Sequence, residues 1–117
     1  MRKNVLIVGA GGVASVVAHK CAMVNDILGD ICIASRTQKK CDEIIASIKR
    51  KNNMKDTAKK LHSRTVNAFD IPSLVQLIKD TQSEIVINVG QAYINMSVLE
   101  ACIETGAAYL DTAIHEE

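Results

Sequence analysis

The sequence has no tryptophan, a single proline, and two tyrosines and one phenylalanine as its only aromatic residues. So few rings argue against a stacking surface for single-stranded nucleic acid. Fourteen basic and thirteen acidic residues leave a formal net charge of +1, so there is no basic excess to attract nucleic acid or an acidic membrane. The first apolar run ends at Gly9 and is far shorter than a membrane span. We therefore expect neither nucleic acid nor a membrane as a partner.

Cysteine pairs with metal-binding or redox spacing are also missing. Cys21, Cys32, Cys41 and Cys102 lie far apart, with no CxxC motif and no nearby pair of histidines. Each falls within an apolar run or stripe. We interpret them as buried free thiols in a reducing compartment, which favours a cytoplasmic location and predicts no metal site.

The histidines give no sign of a catalytic group. His19, His62 and His115 show no pairing with a serine, cysteine or carboxylate in a catalytic arrangement. We interpret all three as solvated or half-buried structural residues. The sequence therefore does not identify a catalytic acid or base.

What the chain does contain is a regular alternation of strand and helix patterns. Apolar runs predict strands at 4–8, 31–34, 63–68, 84–89 and 108–110. The helices between them carry apolar stripes, which are Val13, Val16, Val17 and Cys21; Cys41, Ile44, Ile45 and Ile48; Leu74, Leu77 and Ile78; and Val98, Leu99, Cys102 and Ile103. Polar stretches at 25–30 and 49–60 are predicted as solvated connections. Thr37 and Asn95 are candidate helix caps, and Gly106 is placed to end the last helix.

This alternation predicts an α/β fold with a doubly wound parallel sheet of the Rossmann type. Right-handed crossovers place five strands most simply in the order 3-2-1-4-5. The length suits one domain with one hydrophobic core, so residues 1–117 are predicted to form a single dinucleotide-binding domain.

The first strand leads directly into GAGGVA, a match to the G-x-G-x-x-G/A fingerprint of dinucleotide-binding domains. The first glycine permits a tight turn, the second lets a pyrophosphate approach the backbone, and Ala14 allows close packing of helix on sheet. Amides at the helix N-terminus then face the phosphates. The alternative is a glycine turn that binds no ligand. The predicted pyrophosphate contacts are Gly9, Gly11, Gly12 and Val13.

The end of the second strand favours NADP(H) over NAD(H). NAD-preferring domains usually carry a carboxylate there for the ribose 2′-hydroxyl, whereas this chain has Ser35, Arg36 and Thr37, with Lys40 beyond. The arginine can bind a 2′-phosphate in bidentate fashion and stack on adenine. The alternative is a solvated loop arginine beside a capping threonine. Asp70, after the third strand, is predicted either to contact the adenine amino group or to cap the next helix.

The end of the fourth strand is predicted to lie beside the nicotinamide half of the cofactor. In the assumed strand order it borders the crevice at the topological switch point. We expect Asn88, Val89 and Gly90 to contact the cofactor there, with Asn88 touching the ribose or bracing the loop. Tyr93 either packs against the nicotinamide or fills the loop. Asp111 either faces a substrate or caps the following turn.

Three segments together resemble the N-terminal domain of the saccharopine dehydrogenase family. They are VLIVGAGGVASVVAHKCA, ICIASRTQKKCDEI and EIVINVGQAYINMSVLEACIETGAAYLDTA, and they cover nearly the whole chain. The resemblance implies an NADPH-dependent reductase of polyamine biosynthesis. Such an enzyme condenses aspartate semialdehyde with a diamine and reduces the resulting imine by hydride transfer from the nicotinamide. The resemblance assigns the pyrophosphate, 2′-phosphate, adenine and nicotinamide contacts to the residues already predicted for them.

The resemblance is not complete. Related sequences often have a proline before the tyrosine and an acidic residue soon after it, where this chain has Ala92 and Asn95. The family also has a second, larger domain that supplies most of the substrate site. We expect that domain to be absent from this chain, which would then be an excised domain or a natural fragment. A small-molecule substrate and a homodimer are expected only of the full-length protein. Alternative interpretations are a nucleotide-sensing regulatory module and an oxidoreductase of shikimate dehydrogenase type.

Overall fold

The computed structural model describes residues 3–52, 54–90 and 94–111, in which strands and helices alternate along the chain. In order they are β1 (Lys3–Val8), α1 (Gly12–Met23), β2 (Leu28–Ser35), α2 (Gln38–Lys51), β3 (Leu61–Thr65), α3 (Ile71–Thr81), β4 (Ser83–Asn88), α4 (Asn95–Thr105) and β5 (Ala108–Asp111). Tyr93 and His115, for which the sequence suggested roles, lie outside the described residues.

The strands form one parallel sheet in the order β3-β2-β1-β4-β5. Leu6 of β1 pairs with Cys32 of β2 on one side and Val86 of β4 on the other. This confirms the predicted fold class and strand order. The boundaries differ at β2, which begins at Leu28 rather than Ile31 because the strand continues alongside the start of β1. They differ also at β3, which is Leu61–Thr65 rather than 63–68.

The two faces of the sheet have separate cores. Val5 and Ile7 of β1 pack on the side of α1 and α2, whereas Leu6 and Val8 pack on the side of α3 and α4. Both faces of β1 are covered, which explains why its run is apolar without alternation. Helices α2 and α3 bury the predicted stripes, with Ile45 only partly covered.

The stripe predicted for α1 is only partly confirmed, because Val17 and Cys21 are half-buried against the core but its other two residues are exposed. Val13 and Val16 are 56% and 58% exposed. The helix instead turns three small residues toward the strands, and these are Ala14, Ala18 and Ala22. Small side chains on the contact face allow a helix to pack closely on a sheet, which is the role of the last position of the glycine fingerprint. Valine and alanine alternate closely along this helix, so the sequence pattern alone chose the wrong face.

Helix α4 shows a smaller error of the same kind. Val98 and Cys102 are buried as predicted, but Ile103 is 72% exposed and Ala101 takes its place in the core. Ile94, not Asn95, occupies the N-cap position. Gly106 ends the helix in the left-handed conformation, as predicted, with φ +80°.

The four cysteines are free thiols, as predicted, but their burial differs. Cys32, Cys41 and Cys102 are buried in the core. Cys21 is only half-buried, because it lies on α1 beside the alanine face rather than within it. Burial raises the pKa of Cys32 to about 12 and that of Cys102 to about 11, so both thiols stay protonated near neutral pH.

The two polar connections are less solvated than predicted. Asn25 is fully buried, and its side chain both donates to the Asp56 carbonyl (2.8 Å) and accepts from the Asp56 amide (2.6 Å). Lys59 is also buried, with its ammonium group 2.8 Å from the Leu28 carbonyl. The stretches before β2 and before β3 therefore close the amino-terminal edge of the sheet through satisfied polar contacts.

Candidate cofactor-binding site

The site begins at Gly9, where β1 turns toward α1. Its backbone has φ +129°, a conformation that side-chain-bearing residues rarely adopt. Its amide donates to the Ala34 carbonyl at 2.8 Å. A Cβ atom at this position would lie 3.0 Å from the Gly90 nitrogen and 3.0 Å from the Val89 carbonyl carbon. Glycine at this position lets the carboxyl ends of β1, β2 and β4 come together.

Gly11 and Gly12 leave open space at the start of α1. Gly11 is the N-cap residue, and a Cβ atom built on either glycine would meet nothing within 4 Å. The first turn of α1 has no acidic side chain to neutralise its amides. Ala14, directly below, is fully buried. A bare, positive helix end of this kind suits the approach of a phosphate group.

A cavity of about 380 Å³ lies at the carboxyl edge of the sheet, a size typical of small-molecule sites. Its wall brings together eight of the residues predicted from the sequence, which are Gly9, Gly11, Ser35, Arg36, Thr37, Lys40, Val89 and Gly90. It also contains residues that the sequence analysis did not single out for this site, which are Val8, Ala10, Val66, Ala68, Phe69 and Ile94. Gly12, Val13, Asp70 and Asn88 border this region but do not line the cavity.

The end of β2 presents its arginine from a tight local turn. The Ser35 hydroxyl accepts from the Thr37 amide (3.1 Å) and donates to the Thr37 carbonyl (3.2 Å). Its oxygen also lies 3.3 Å from the sulfur of Cys41. Arg36, between them, is exposed and lines both the cavity and an adjoining depression after β3. Thr37 occupies the N-cap position of α2, but its side chain makes no cap hydrogen bond, contrary to the predicted role.

The segment after β3 supplies an aromatic side chain that the sequence analysis missed. Phe69 is 51% exposed and lines the same cavity as Arg36. Its amide donates to the Asn67 side chain at 3.1 Å. Asp70 is the N-cap residue of α3 by position and accepts a hydrogen bond from the Ser73 hydroxyl, without a side-chain cap bond. The signal in the sequence was the chain's single phenylalanine, directly after the predicted third strand.

On the other side of the cavity, Asn88 ends β4 beneath the backbone of Val89 and Gly90. Its side chain is 0% exposed. The carbonyl Oδ1 accepts from the Gly90 amide at 3.0 Å, and Nδ2 donates to Oδ1 of Asn95 at 2.5 Å. The Tyr109 hydroxyl lies 3.5 Å from Nδ2. This edge of the cavity is therefore a backbone surface supported by a buried amide.

Two histidines in the described part of the chain have shifted pKa values. Burial, with Arg64 nearby, lowers the pKa of His62, and burial lowers that of His19. Neither lines the cavity.

In the described parts of the chain, no group of three or more His, Cys, Asp or Glu residues is arranged to hold a metal ion. No described helix is both long and apolar enough to cross a bilayer.

Nearly the whole chain matches a known family model. Residues 5–117 match the model of the saccharopine dehydrogenase NADP binding domain. The chain belongs to the saccharopine dehydrogenase family. It is an NADP(H)-binding domain of that family, and its glycine turn, open helix end and exposed arginine are compatible with that cofactor.

Curated relatives within this family share high identity with the chain. It is 57% identical to the carboxynorspermidine synthase of Vibrio alginolyticus over 94% of its length, and 54% identical to that of Vibrio cholerae over 95%. It is 44% identical over 97% of its length to the carboxyaminopropylagmatine dehydrogenase of a Synechocystis species. The chain spans only about a quarter of each relative, 27%, 27% and 26% respectively.

A solved structure has the same fold. Apo saccharopine dehydrogenase (L-Glu forming) from Saccharomyces cerevisiae superposes with a TM-score of 0.73 at 18% identity. The match covers 97% of this chain and 22% of that one. At this identity the likeness supports the Rossmann-type fold alone.

Proposed function

We propose that this chain holds NADP(H) along the carboxyl edge of its sheet, with the pyrophosphate at the start of α1. Gly9 shapes the turn, and Gly11 and Gly12 leave the space that the phosphates would fill. Amides of the first helical turn, including that of Val13, would donate to the phosphate oxygens.

The 2′-phosphate would lie at the end of β2. The observation that carries this proposal is that an exposed arginine lines the cavity beside the glycine turn, in a segment without a carboxylate. Arg36 would bind the phosphate as a fork, and Lys40 would add a second positive charge. Ser35 and Thr37 would shape the turn that aims the arginine.

The adenine ring would occupy the apolar part of the cavity between the end of β2 and the segment after β3. Phe69 lines the cavity there together with Ala68 and Val66, and its ring would pack against the adenine. The exposed carboxylate of Asp70 lies next in sequence and would act at the rim. The nicotinamide half would then extend toward Val89 and Gly90.

For the full-length protein we propose an NADPH-dependent oxidoreductase acting on C–N bonds. Two relatives are named carboxynorspermidine synthase and a third carboxyaminopropylagmatine dehydrogenase. The substrate would be the imine of aspartate semialdehyde and a diamine, and the cofactor would supply the hydride. Because the chain spans about a quarter of those relatives, we place the substrate-binding groups outside these 117 residues. Four free thiols are compatible with a cytoplasmic enzyme.

The test is to titrate the purified chain with NADPH and, separately, NADH by calorimetry or fluorescence. We expect NADPH to bind more tightly, because only it carries the 2′-phosphate that Arg36 would contact. Equal affinities, or tighter binding of NADH, would contradict the proposed 2′-phosphate site. For the whole enzyme, oxidation of NADPH should require both the semialdehyde and the diamine.

A further inference from the structure

We propose that Asn88 is a positioning residue for the nicotinamide half of the cofactor, acting through the Gly90 backbone rather than by touching the ligand. The inference rests on the proposed function. Asn88 is completely buried, whereas Val89 and Gly90, the two residues after it, line the cavity. The carboxamide is thus one layer below the surface that the cofactor would meet.

The orientation of the Asn88 carboxamide is set by its partners. The Gly90 amide is a donor, so the atom 3.0 Å from it must be the carbonyl Oδ1. Nδ2 then faces Asn95 at 2.5 Å, on the first turn of α4. One side chain therefore links the end of β4 to the loop after it and to the next helix.

Tyr109 of β5 extends this link to the edge of the sheet. Its hydroxyl lies 3.5 Å from Asn88 Nδ2 and donates to the Asp111 carboxylate at 2.9 Å. The hydrogen bonds thus run from beneath Gly90 to the exposed end of β5. Three elements, β4, α4 and β5, hold one carboxamide in place.

The backbone that Asn88 supports is also confined from the other side. The Val89 amide donates to the Val8 carbonyl at 2.9 Å. A Cβ atom on Gly90 would lie 2.7 Å from the side chain of Ile94 and 3.3 Å from Oδ1 of Asn88. Removing the carboxamide would release the Gly90 amide and let this segment shift, at the end of the cavity away from Arg36.

The experiment compares two ligands on the full chain. NADPH would span the whole site, whereas adenosine 2′,5′-bisphosphate lacks the nicotinamide half and would reach only from Arg36 to the glycine turn. We expect Asn88→Ala to weaken NADPH binding about tenfold and to change binding of the bisphosphate by less than about twofold. The matched control is Asn4→Ala. The Asn4 carboxamide is likewise held by two hydrogen bonds, both to backbone groups, at Thr81 and Asp30, but near the opposite edge of the sheet.

Milder variants keep the proposal testable if Asn88→Ala does not fold. Asn95→Ala and Tyr109→Phe remove single partners of the carboxamide and should each weaken NADPH about threefold while sparing the bisphosphate. Equal losses for both ligands, or the same selective loss in Asn4→Ala, would overturn the positioning role and leave the proposed function intact. A wild-type chain that binds neither ligand would overturn the proposed function, and this inference with it.

Discussion

The two ends of the cavity differ in the groups that line them. Near β2 its wall consists of exposed side chains, chiefly Arg36 and Lys40. The segment after β3 adds the exposed side chain of Phe69. Near β1 and β4 the described wall has backbone at Gly9 and Gly90, with the apolar residues Val8, Val89 and Ile94 beside it.

Because of this difference, the choice of cofactor and the stability of the domain depend on opposite ends of the cavity. An exposed side chain contributes little to the free energy of unfolding, so its identity can follow the ligand. A backbone surface takes its shape from the fold and from the buried groups beneath it, so changing it alters stability as well. Substitutions at the β2 end should therefore change which cofactor binds, and those at the glycine turn should change whether the domain is stable.

The largest effect is expected from Gly9→Ala. The new methyl group would meet Gly90 and Val89 at 3.0 Å on a backbone with φ +129°, and no nearby flexible side chain could yield. We expect the free energy of unfolding to fall by about 1–3 kcal/mol and NADPH binding to weaken at least about a hundredfold. Denaturant unfolding and titration measure the two quantities.

The matched control for that change is Gly12→Ala, within α1. Its methyl group would meet nothing within 4 Å, and alanine favours a helix over glycine by about 1 kcal/mol. Stability should stay level or rise, while NADPH binding weakens about tenfold because the methyl group enters the space proposed for the phosphates. If Gly9→Ala were as stable as wild type, the account of the turn would be wrong.

The next largest effect is expected from Arg36→Asp. A carboxylate would repel the 2′-phosphate and could accept a hydrogen bond from a ribose hydroxyl. NADPH binding should weaken about a hundredfold, NADH binding should hold or improve, and the free energy of unfolding should stay within about 0.5 kcal/mol. Titration with both cofactors and one unfolding curve suffice.

Arg50→Asp controls for net charge, because Arg50 lies in the last turn of α2 and does not line the cavity. Its NADPH affinity should stay within about twofold of wild type at moderate salt. Unchanged NADPH affinity in Arg36→Asp would show that the 2′-phosphate lies elsewhere.

A smaller, nonselective effect is expected from Phe69→Ala. Adenine is common to both cofactors, so loss of the ring should weaken NADPH and NADH by the same factor, about fivefold. Phe69→Leu should recover part of the affinity through apolar contact alone. A loss confined to NADPH would mean that Phe69 acts on the 2′-phosphate through Arg36, not on adenine.

The smallest effect concerns pH and lies outside both ends of the cavity. Burial lowers the pKa of His62 in the folded state below its ordinary value of 6.5. The unfolded chain therefore takes up the proton first, so the free energy of unfolding should decrease as pH falls below about 6.5. His62→Gln should flatten part of this decrease, and His19, shifted the same way, should account for more of it.

Unfolding curves between pH 7.5 and 5 measure the trend, and the ratio of NADPH to NADH affinity at constant pH should be the same in His62→Gln and wild type. A steeper pH dependence in the variant would reverse the sign assigned to His62.

Much of the architecture was predictable because it depends on local pattern. The apolar runs of β1 and β4, the glycine turn and the stripes of α2 and α3 each follow from spacing along the chain. The face of α1 was not predictable in this way. Val13 and Ala14 are both apolar neighbours, and only the distance from α1 to the sheet decides that the smaller one is buried.

The site shows the same division. Eight predicted residues line the cavity because their positions follow from the ends of β1, β2 and β4. Phe69 was missed because its role depends on the segment after β3 crossing toward β2. Bracing of the loop was one of the two roles predicted for Asn88, and its bond to the Gly90 amide is of that kind. Its partners Asn95 and Tyr109 were not predictable, because they lie as many as 21 positions away along the chain.

The sequence by itself determined the order of elements, the strand order and the presence of an arginine where other domains carry a carboxylate. Periodicity, glycine placement and charge are properties of short segments, and short segments retain them in any context. Only the tertiary structure decided which apolar residues are buried, which aromatic side chain lines the cavity after β3, and how a buried amide supports the opposite end. These features depend on distances between segments, which are fixed only when the strands and helices pack together.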